Sequence, residues 1–527
     1  MGAKLHAKTI SELRLRWGKE SDQDEDVLQG LQPHSNLQVL EIDGYGGKNL
    51  PSWMLKNVLN CDIFLLNNLK TLGIRHCKKL ESMPVMPRFS SLQKLYIFDC
   101  DELSTIADGA FASLPSLKEL WIRRCHKLES VSLDELSLLE EVHIQDCSEL
   151  NSIGDGLSTS TCLKELYLHG CKSLRFIPSL FGLISIQDLS VGDCGLECLP
   201  SGLSSCIALK ELRIYKCHSL ISIPEELKET HSLVSLYIYS CSKLRNIPEN
   251  ILNSLANLKR LMFGGFSEEL EEFPALSFNH SLQASLEELR LVGWGKLSEL
   301  PHQIQNLNLT ALRELAISEF NEVETLPNWL GNFSSLKSLI IRDCLRLKCL
   351  PSGLSFSSTL EELTICTCPN LVSNKLEELL SGLAHLKKLR IDPFSEELEE
   401  FPGLSSIHNF GTSLEELDLY GWEKLTQLPH QIQHLTTLRR LSIWDFQLVE
   451  ILPEWLGNLS SLQQLLILRC KNMKHLPSAE AMQCLSKLNC LRIVDCPELE
   501  TRYGKESGPE WYKISHIATI YMNGECI

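Results

Sequence analysis

The chain has 527 residues, more than the roughly 250–300 at which a single globular core stops growing, so it must form several domains or a solenoid. Its formal net charge of -17 and its lack of a Lys/Arg block argue against binding to duplex nucleic acid, because neutralising phosphates needs a concentrated basic surface. No apolar run reaches the about 18 residues that a membrane span requires.

One motif, L-x-x-L-x-(I/L)-x-x-C-x-x-L, recurs along nearly the whole chain. The stretch "LKELYLHGCKSL" at 163–174 returns as "LKELRIYKCHSL" at 209–220. Twenty units start between residues 10 and 488, so the mean repeat is about 25 residues long, as in leucine-rich repeats. The unit starts, of which the first two are weak, are Ile10, Leu37, Leu69, Leu92, Leu117, Leu139, Leu163, Ile186, Leu209, Leu233, Leu258, Leu286, Leu312, Leu336, Leu360, Leu386, Leu414, Leu438, Leu462 and Leu488.

Each unit predicts one short strand followed by a return path. In the unit at Leu163, Leu166 and Leu168 share one parity and face inward, whereas Glu165, Tyr167 and His169 face outward. A later Ile-Pro or Leu-Pro step ends the extended chain, because proline donates no hydrogen bond. We expect the return path to mix one helical turn with extended chain. The predicted fold is therefore an α/β leucine-rich-repeat solenoid of about 20 repeats, a horseshoe with a concave parallel sheet.

Three regions stand out in chain order. The acidic run "DQDED" at 22–26 predicts a flexible exposed loop. Within the solenoid, which we assign to residues 1–500, five repeats at 258–385 are duplicated at 386–499; "FSEELEEFP" occurs at both 266–274 and 394–402. These acidic copies are expected to form solvated loops, with docking of a basic partner as the alternative. Residues 501–527 are expected to form a C-terminal cap or tail.

Twelve of the 21 cysteines occupy the ninth position of a unit. They are Cys77, Cys100, Cys125, Cys147, Cys171, Cys194, Cys217, Cys241, Cys344, Cys368, Cys470 and Cys496. Other units place Trp or Phe there, which indicates an apolar environment. We therefore expect buried, unpaired thiols. A ladder of disulfides is the alternative, and no C-x-x-C or H-E-x-x-H spacing indicates a metal site.

Catalytic motifs are not found. The sequence contains no G-x-x-x-x-G-K-[ST] phosphate loop, no G-x-S-x-G elbow and no kinase signature. A solenoid that tolerates duplication of five repeats also has no single catalytic centre on which all its units depend. We expect a binding protein, with no enzymatic activity, no cofactor and no metal.

The outward strand positions give the candidate binding site. At the fifth and seventh positions of the units from Leu92 to Leu233, large aromatic and basic residues predominate; Tyr, Trp and Arg are the residues most common in the energetic centres of protein interfaces. Ser190 and Gly192 interrupt the series once. The alternative is that aromatic residues simply suit strands. We call the following eleven residues the aromatic stripe: Tyr96, Phe98, Trp121, Arg123, His143, Tyr167, His169, Arg213, Tyr215, Tyr237 and Tyr239.

The repeats, together with "DEDVLQGLQPHSNLQVLEIDGYGGKNLPSWM" at 24–54 and "CPELETRYGKESGPEWYKISHIATIYMNG" at 496–524, resemble the leucine-rich-repeat region of plant intracellular nucleotide-binding immune receptors of the coiled-coil class. That resemblance implies a partner that is a pathogen effector or a guarded host protein, and a location in the cytoplasm or nucleus. It also implies a coiled-coil domain and a nucleotide-binding switch domain ahead of the repeats, and it implies that the repeats hold this switch inactive. Neither the phosphate loop nor the Met-His-Asp motif of that switch occurs here, so nucleotide binding is not carried over.

Two further expectations remain open. The alternative function is the substrate-recognition domain of a ubiquitin ligase, which would need an F-box-like segment near residue 1. The chain enters its repeats at Ile10 with almost no preceding cap. We therefore expect it to be a fragment, a truncated gene product or the product of an incomplete gene model.

Overall fold

The computed structural model describes residues 10–18, 24–54, 66–86, 89–274, 276, 280–392, 413–422, 424–505 and 508–527. Two compact units are present, of which the first ends near Leu270 and the second runs from Gln283 to Ile527. In both units, short strands pair in parallel with the strand of the next repeat. The predicted α/β leucine-rich-repeat solenoid built on a parallel sheet is confirmed.

The first unit contains one complete α-helix and thirteen strands in its described residues. They are β1 (Glu12–Arg16), α1 (Asp24–Gln29), β2 (Val39–Asp43), β3 (Thr71–Arg75), β4 (Ser82–Met83), β5 (Lys94–Phe98), β6 (Thr105–Ile106), β7 (Glu119–Arg123), β8 (Glu141–Gln145), β9 (Glu165–His169), β10 (Asp188–Gly192), β11 (Glu211–Tyr215), β12 (Ser235–Tyr239) and β13 (Arg260–Gly264). The short strands β4 and β6 pair only with each other among the described strands.

The second unit continues the pattern with helices in some return paths. Its elements are β14 (Glu288–Val292), β15 (Glu314–Ser318), β16 (Ser338–Arg342), β17 (Glu362–Cys366), α3 (Ser373–Gly382), β18 (Lys388–Ile391), β19 (Glu416–Tyr420), β20 (Arg440–Trp444), β21 (Gln464–Leu468), α4 (Ala479–Cys484), β22 (Cys490–Val494), α5 (Pro497–Tyr503), β23 (Thr519–Met522) and β24 (Glu525–Cys526). Helix α2 (His280–Ser285) lies between β13 and β14 in the chain. None of the helices in the described part of the chain has the length and apolar character that crossing a membrane requires.

The strands of neighbouring repeats align without offset. Leu166 of β9 lies opposite Leu189 of β10, and Leu168 lies opposite Val191. All four side chains are at most 1% exposed. Because side chains alternate along a strand, the third, fifth and seventh positions of every unit must lie on the other face of the sheet.

The return paths match the expected mixture of one turn and extended chain. Single five-residue 3-10 turns follow a proline at Glu225–Glu229, Asn328–Asn332 and Glu454–Asn458. The proline sets an extended backbone before the turn, with a φ of -71° at Pro224. The first copy of the duplicated acidic segment buries its two aromatic residues, Phe266 and Phe273, while Glu269 binds Arg245 at 2.8 Å. The second copy lies outside the described residues.

A left-handed turn ends most strands, at the eighth position of the unit. Arg124, Asp146 and Lys216 have φ values of 52°, 55° and 53°, a conformation that costs a non-glycine residue about 1–2 kcal/mol. The turn directs the ninth side chain into the core. The predicted burial of the twelve ninth-position thiols is confirmed, since each is at most 4% exposed.

The thiols also hydrogen-bond the chain where the strands end. Each of the twelve lies 3.3–3.7 Å from the carbonyl oxygen two residues before it, as in the contact of Cys171 with His169. Cys217 also reaches the carbonyl of Val191 in the preceding strand, at 3.8 Å. A cysteine therefore fills the core and supplies a weak second donor to a carbonyl that already accepts a backbone N–H from the preceding repeat, as His169 accepts the N–H of Asp146 at 2.7 Å.

The acidic run near the N-terminus is not a flexible loop where the structure describes it. Residues Asp24–Gln29 form α1, and Asp24 is 4% exposed. The Asp24 carboxylate accepts the backbone N–H of Gly46 at 3.0 Å, and Glu25 accepts those of Lys48 and Asn49 at 2.8 and 3.2 Å. The charge of this run alone predicts exposure to solvent. Carboxylates also accept hydrogen bonds from clustered backbone N–H groups, however, and here they bind the loop after β2.

We propose that residues 501–527 cap the second unit, as the sequence predicts. The strand β23 pairs in parallel with β22, and β24 folds back antiparallel onto β23. Glu510 joins the segment to the last full repeats: it accepts hydrogen bonds from Tyr503 at 2.6 Å and Lys513 at 2.8 Å, and its other oxygen lies 2.9 Å from His475. Burial opposes ionisation of Glu510, but these partners lower its pKa to about 2.

The substitution Glu510→Gln should therefore destabilise the C-terminal repeats at neutral pH by on the order of 2 kcal/mol, because it removes charged hydrogen bonds. Since the pKa of Glu510 is depressed in the folded state, the difference should shrink as the pH falls from about 4.5 to about 2. Amide hydrogen exchange of β22 and β23 measures it. Glu498→Gln, at an exposed position of α5, is the control; equal effects of the two substitutions would contradict the proposal.

Candidate protein-binding surface

All eleven residues of the aromatic stripe lie on one face of the sheet, on β5, β7, β8, β9, β11 and β12. Each is partly or fully exposed, whereas the alternate residues of the same strands are buried. The in-register pairing places Tyr96, Trp121, His143 and Tyr167 opposite one another on four successive strands. The predicted outward orientation is confirmed, and the binding role stays a prediction.

The rings contact each other from strand to strand. The ring centres of Tyr96 and Trp121 are 6.3 Å apart, and Trp121 stacks on His143 with centres 4.1 Å apart and planes 19° apart. His143 in turn lies 5.6 Å from Tyr167, which meets His169 edge-on at 6.2 Å. Such contacts add about 0.5–1.5 kcal/mol each beyond the area they bury. The side chains therefore form a continuous, pre-ordered surface.

The interruption at β10 is bridged by the structure. A Cβ atom on Gly192 would overlap the ring of Tyr215, so the glycine provides the space into which this ring leans. From there Tyr215 reaches His169, two strands away, at 5.7 Å, and it stacks on Tyr239 at 5.5 Å with planes 10° apart. The stripe therefore runs from β5 to β12 with a ring contact at each step.

Some polar atoms of the stripe have no hydrogen-bond partner in the described structure. They are the indole nitrogen of Trp121, Nε2 of His143 and Nδ1 of His169. Burial lowers the pKa of His143, so its imidazole is neutral at neutral pH. In contrast, Tyr96 donates to Glu119 at 3.0 Å, and burial together with this bond raises the pKa of Tyr96 to about 12. Unpaired polar groups under a protein surface cost about 1–3 kcal/mol, so the stripe is not optimised for the stability of the free chain.

A second row of residues lies beside the stripe, at the third position of consecutive units. We call the following five residues the acidic row: Glu119, Glu141, Glu165, Asp188 and Glu211. The strand register places each of these carboxylates opposite the next one. Burial and the charges of Glu119 and Glu165 raise the pKa of Glu141, because its ionised form is both partly desolvated and repelled.

One part of this surface has the donor types of a metal site. The ligand atoms of Glu141, His143 and Glu165 all lie within 4.8 Å of one another. Two carboxylates and an imidazole suit a divalent ion such as zinc. The same carboxylates also belong to the longer acidic row, however, and the arrangement alone does not distinguish a metal ion from any other cation. The sequence-based prediction of no metal stays a prediction.

Comparisons with known proteins find similar leucine-rich repeats in two family models and in plant proteins. A model described as R13L1/DRL21 leucine-rich repeats matches residues 1–100, and one described as a leucine-rich repeat region matches residues 269–506. The protein named disease resistance protein RGA1, from Solanum bulbocastanum, is 33% identical over 125 residues, which are 23% of this chain and 12% of RGA1. Disease resistance protein RPP4 from Arabidopsis thaliana is 29% identical over 263 residues, 46% of this chain and 22% of RPP4.

The chain is a leucine-rich-repeat region that is similar to those of plant disease resistance proteins. The first family model includes the segment at 24–54 on which the predicted resemblance depends. A third relative, disease resistance protein RGA2 of Solanum bulbocastanum, is 30% identical over 212 residues, which are 34% of this chain. The matches span 12–22% of the length of these three relatives. The repeat region therefore corresponds to a minor part of each of them.

Solved structures of repeat proteins are similar at low identity. A leucine-rich-repeat protein of Leptospira interrogans is 19% identical, with a TM-score of 0.41, and the match covers 92% of this chain and 95% of that one. The mouse RP105/MD-1 complex is 17% identical, with a TM-score of 0.49 and coverages of 91% and 86%.

A second aromatic cluster lies in the repeat region, outside the residues that were predicted from the sequence. In the second unit, Tyr420 stacks on Trp444 with ring centres 5.2 Å apart and planes 10° apart. The guanidinium of Arg390 lies 4.8 Å from the centre of the Tyr420 ring, and that of Arg469 lies 5.5 Å from the Trp444 ring. Tyr420 and Trp444 occupy the seventh position of their units, so the rule that found the aromatic stripe would have found them if applied beyond Tyr239.

The substitution Gly192→Ala should displace the ring of Tyr215 and separate the two parts of the stripe. We expect a change in the near-ultraviolet circular dichroism of the tyrosines, with only a small loss of stability, because the displaced ring lies at the end of a side chain. Gly73→Ala, on the same face of β3, is the matched control: its Cβ would meet Glu41 Cγ at an ordinary 3.4 Å. Identical spectra for Gly192→Ala and the unaltered chain would contradict the conclusion that the Tyr215 ring joins the two parts of the stripe across β10.

Glu141→Gln should stabilise the repeat region at neutral pH by on the order of 0.5 kcal/mol, because it removes like-charge contacts across neighbouring strands. The pKa of Glu141 is raised by folding, so the penalty is complete above the folded pKa and vanishes below about 4.5, where the unfolded chain also binds the proton. Urea unfolding at several pH values measures this dependence.

Glu140→Gln is the control, with the opposite sign. Glu140 binds both Lys118 and Lys164, whose hydrogen bonds lower its pKa, so neutralising it should destabilise the chain at neutral pH. If both substitutions shifted stability in the same direction, the repulsion within the acidic row would be refuted.

Proposed function

We propose that this repeat region is the protein-recognition module of a plant innate immune receptor. In this proposal it senses a pathogen effector, directly or through a guarded host protein, and binds it with the aromatic stripe. It also restrains a nucleotide-binding switch domain located elsewhere in the receptor. The module acts in the cytoplasm or nucleus by binding alone, without catalysis.

The observation that carries the proposal is the ordered array of rings on the exposed face of β5 to β12. Aromatic side chains that are held in place lose little conformational entropy on binding, and they offer a large apolar area with polar edges. Packing against neighbouring rings fixes Trp121 between Tyr96 and His143 before any partner arrives. Pre-ordering of this kind reduces the cost of association.

Two further observations support a surface built for a partner. Polar atoms of Trp121, His143 and His169 lack hydrogen-bond partners, which a stabilising role alone does not account for. The relatives RPP4, RGA1 and RGA2 are all named as disease resistance proteins. Restraint of the switch domain rests on the family resemblance.

The competing explanation is that the rings only stabilise the sheet. Replacing Trp121, Tyr167 and Tyr237 with Ala separates the two. If the stripe binds a partner, the triple substitution should weaken binding by at least about ten-fold, because truncating central interface aromatics typically costs 2 kcal/mol or more each. We expect only a modest fall in melting temperature, since the leucine core stays intact.

The measurement needs a defined partner. Secreted effector proteins of pathogens that the source plant resists can be screened by biolayer interferometry against the whole chain. The best binder is then titrated against the triple variant. Phe176→Ala with Phe181→Ala is the control, because these rings are 57% and 55% exposed and lie outside the stripe. Retained binding by the triple variant, together with a large fall in its melting temperature, would leave the stripe a purely structural feature.

A further inference from the structure

The acidic row contains charges that the rest of the exposed face does not neutralise. At its ends, Lys94 lies 2.7 Å from Glu119, and the guanidinium of Arg213 contacts Glu211. The three central carboxylates differ. No ion pair is found for Glu141 or Asp188 in the described part of the chain, and Glu165 has only His143, at 3.7 Å. This contact is longer than a hydrogen bond, and Nε2 of His143 has no hydrogen-bond partner in the described structure.

Neighbouring lysines do not supply the missing charge. Lys118 and Lys164 both bind Glu140, which occupies the second position of its unit. Glu141, Glu165 and Asp188 therefore lie opposite one another on three neighbouring strands, whose backbones are about 4.8 Å apart. Like charges placed directly opposite destabilise a sheet. The free chain keeps this arrangement at a cost in stability.

The second unit shows that the fold does not require it. There the same third positions are neutralised on the same face: Arg290 binds Glu314 at 2.8 Å, and Lys388 lies 3.1 Å from Glu362 and 3.7 Å from Glu416. The repeats therefore accommodate a cation between two third-position carboxylates without any change of architecture. Among the described residues of the first unit, none places such a cation at the centre of the row.

The structure also shows how an arginine fits this surface. Arg213 contacts Glu211 of the acidic row, and its guanidinium lies 5.5 Å from the centre of the Tyr237 ring. One cation thus meets a carboxylate and an aromatic face together, a combination worth more than either contact alone when water is excluded. At the centre of the row, His143 and Tyr167 lie beside Glu141 and Glu165 in the same manner, two residues along each strand.

We infer that the centre of the acidic row binds a basic segment of the protein partner, with arginine side chains seated between the carboxylates of Glu141, Glu165 and Asp188 and the rings of the stripe. This rests on the proposed function and specifies the chemistry of the partner. Glu141 and Asp188 lie two strand spacings apart, about 9.6 Å. In an extended segment with arginines at alternate residues, the backbone positions of the arginines are about 7 Å apart. The long arginine side chains span the remaining difference from about 9.6 Å.

The test uses a fluorescent peptide, Arg-Ser-Arg-Ser-Arg, and fluorescence anisotropy with the whole chain. The variant Glu141→Gln/Glu165→Gln/Asp188→Asn should bind at least about ten-fold more weakly, because three charge-assisted contacts are lost. The control Glu314→Gln/Glu362→Gln/Glu416→Gln removes the same number of charges from the second unit and should change binding less than about two-fold. Affinity should also fall as the salt concentration rises.

Several outcomes overturn the inference. Equal loss in both triple variants would mean attraction by net charge alone. Peptide binding that zinc ions abolish at concentrations equal to the protein, but magnesium ions do not, would assign Glu141, His143 and Glu165 to a metal ion instead. A protein partner that needs Trp121, Tyr167 and Tyr237 but binds the carboxamide variant normally would overturn the basic segment and leave the proposed function standing.

Discussion

Pairing without offset between the strands of successive repeats is the constraint on which the rest of this structure depends. Because side chains alternate along a strand, a shift of one residue would move Leu166 and Leu168 from the core to solvent. The leucine rows therefore lock the register. The same register arranges the third, fifth and seventh positions into straight rows on the exposed face, so a functional surface follows from a stability requirement. The aromatic stripe occupies the rows at the fifth and seventh positions, and the acidic row lies beside it at the third position.

The register is maintained by the turn at the end of each strand. A left-handed residue at the eighth position, such as Lys216, is strained, but it places Cys217 in the core, where the thiol contacts carbonyl oxygens of two adjacent strands. The buried thiol and the strained residue thus both belong to the turn that ends the strand. Stacked repeats stabilise such a turn because each is held between its neighbours.

Sequence periodicity was sufficient to predict the strands, their inward leucines and the outward face, because these depend only on local alternation. It could not predict features that depend on contacts between repeats. Nothing in the residue types of Arg124 or Lys216 indicates a positive φ; the stacked turn imposes it. The acidic run at Asp24 gave the wrong expectation, since its carboxylates bind backbone donors 22 or more residues away.

The candidate site likewise has some features that the sequence predicts and others that depend on contacts between repeats. The membership of the stripe was predictable from position alone, but its continuity was not: Gly192 read as a gap, whereas the Tyr215 ring occupies that gap and joins the two parts. The pairing of Tyr420 with Trp444 required the alignment of two strands that the sequence separates by 24 residues. The charge imbalance of the acidic row emerged only from the positions of Lys118 and Lys164, which bind Glu140 rather than the row.

The central claim is that a protein partner lies on the ordered rings. The most direct measurement is photo-crosslinking from the surface itself, with p-benzoylphenylalanine replacing Tyr167 in one sample and Phe181, an exposed ring outside the stripe, in another. The account predicts that an effector or guarded host protein crosslinks from position 167 and not from position 181. Crosslinking from position 181 alone would place the partner elsewhere and contradict it.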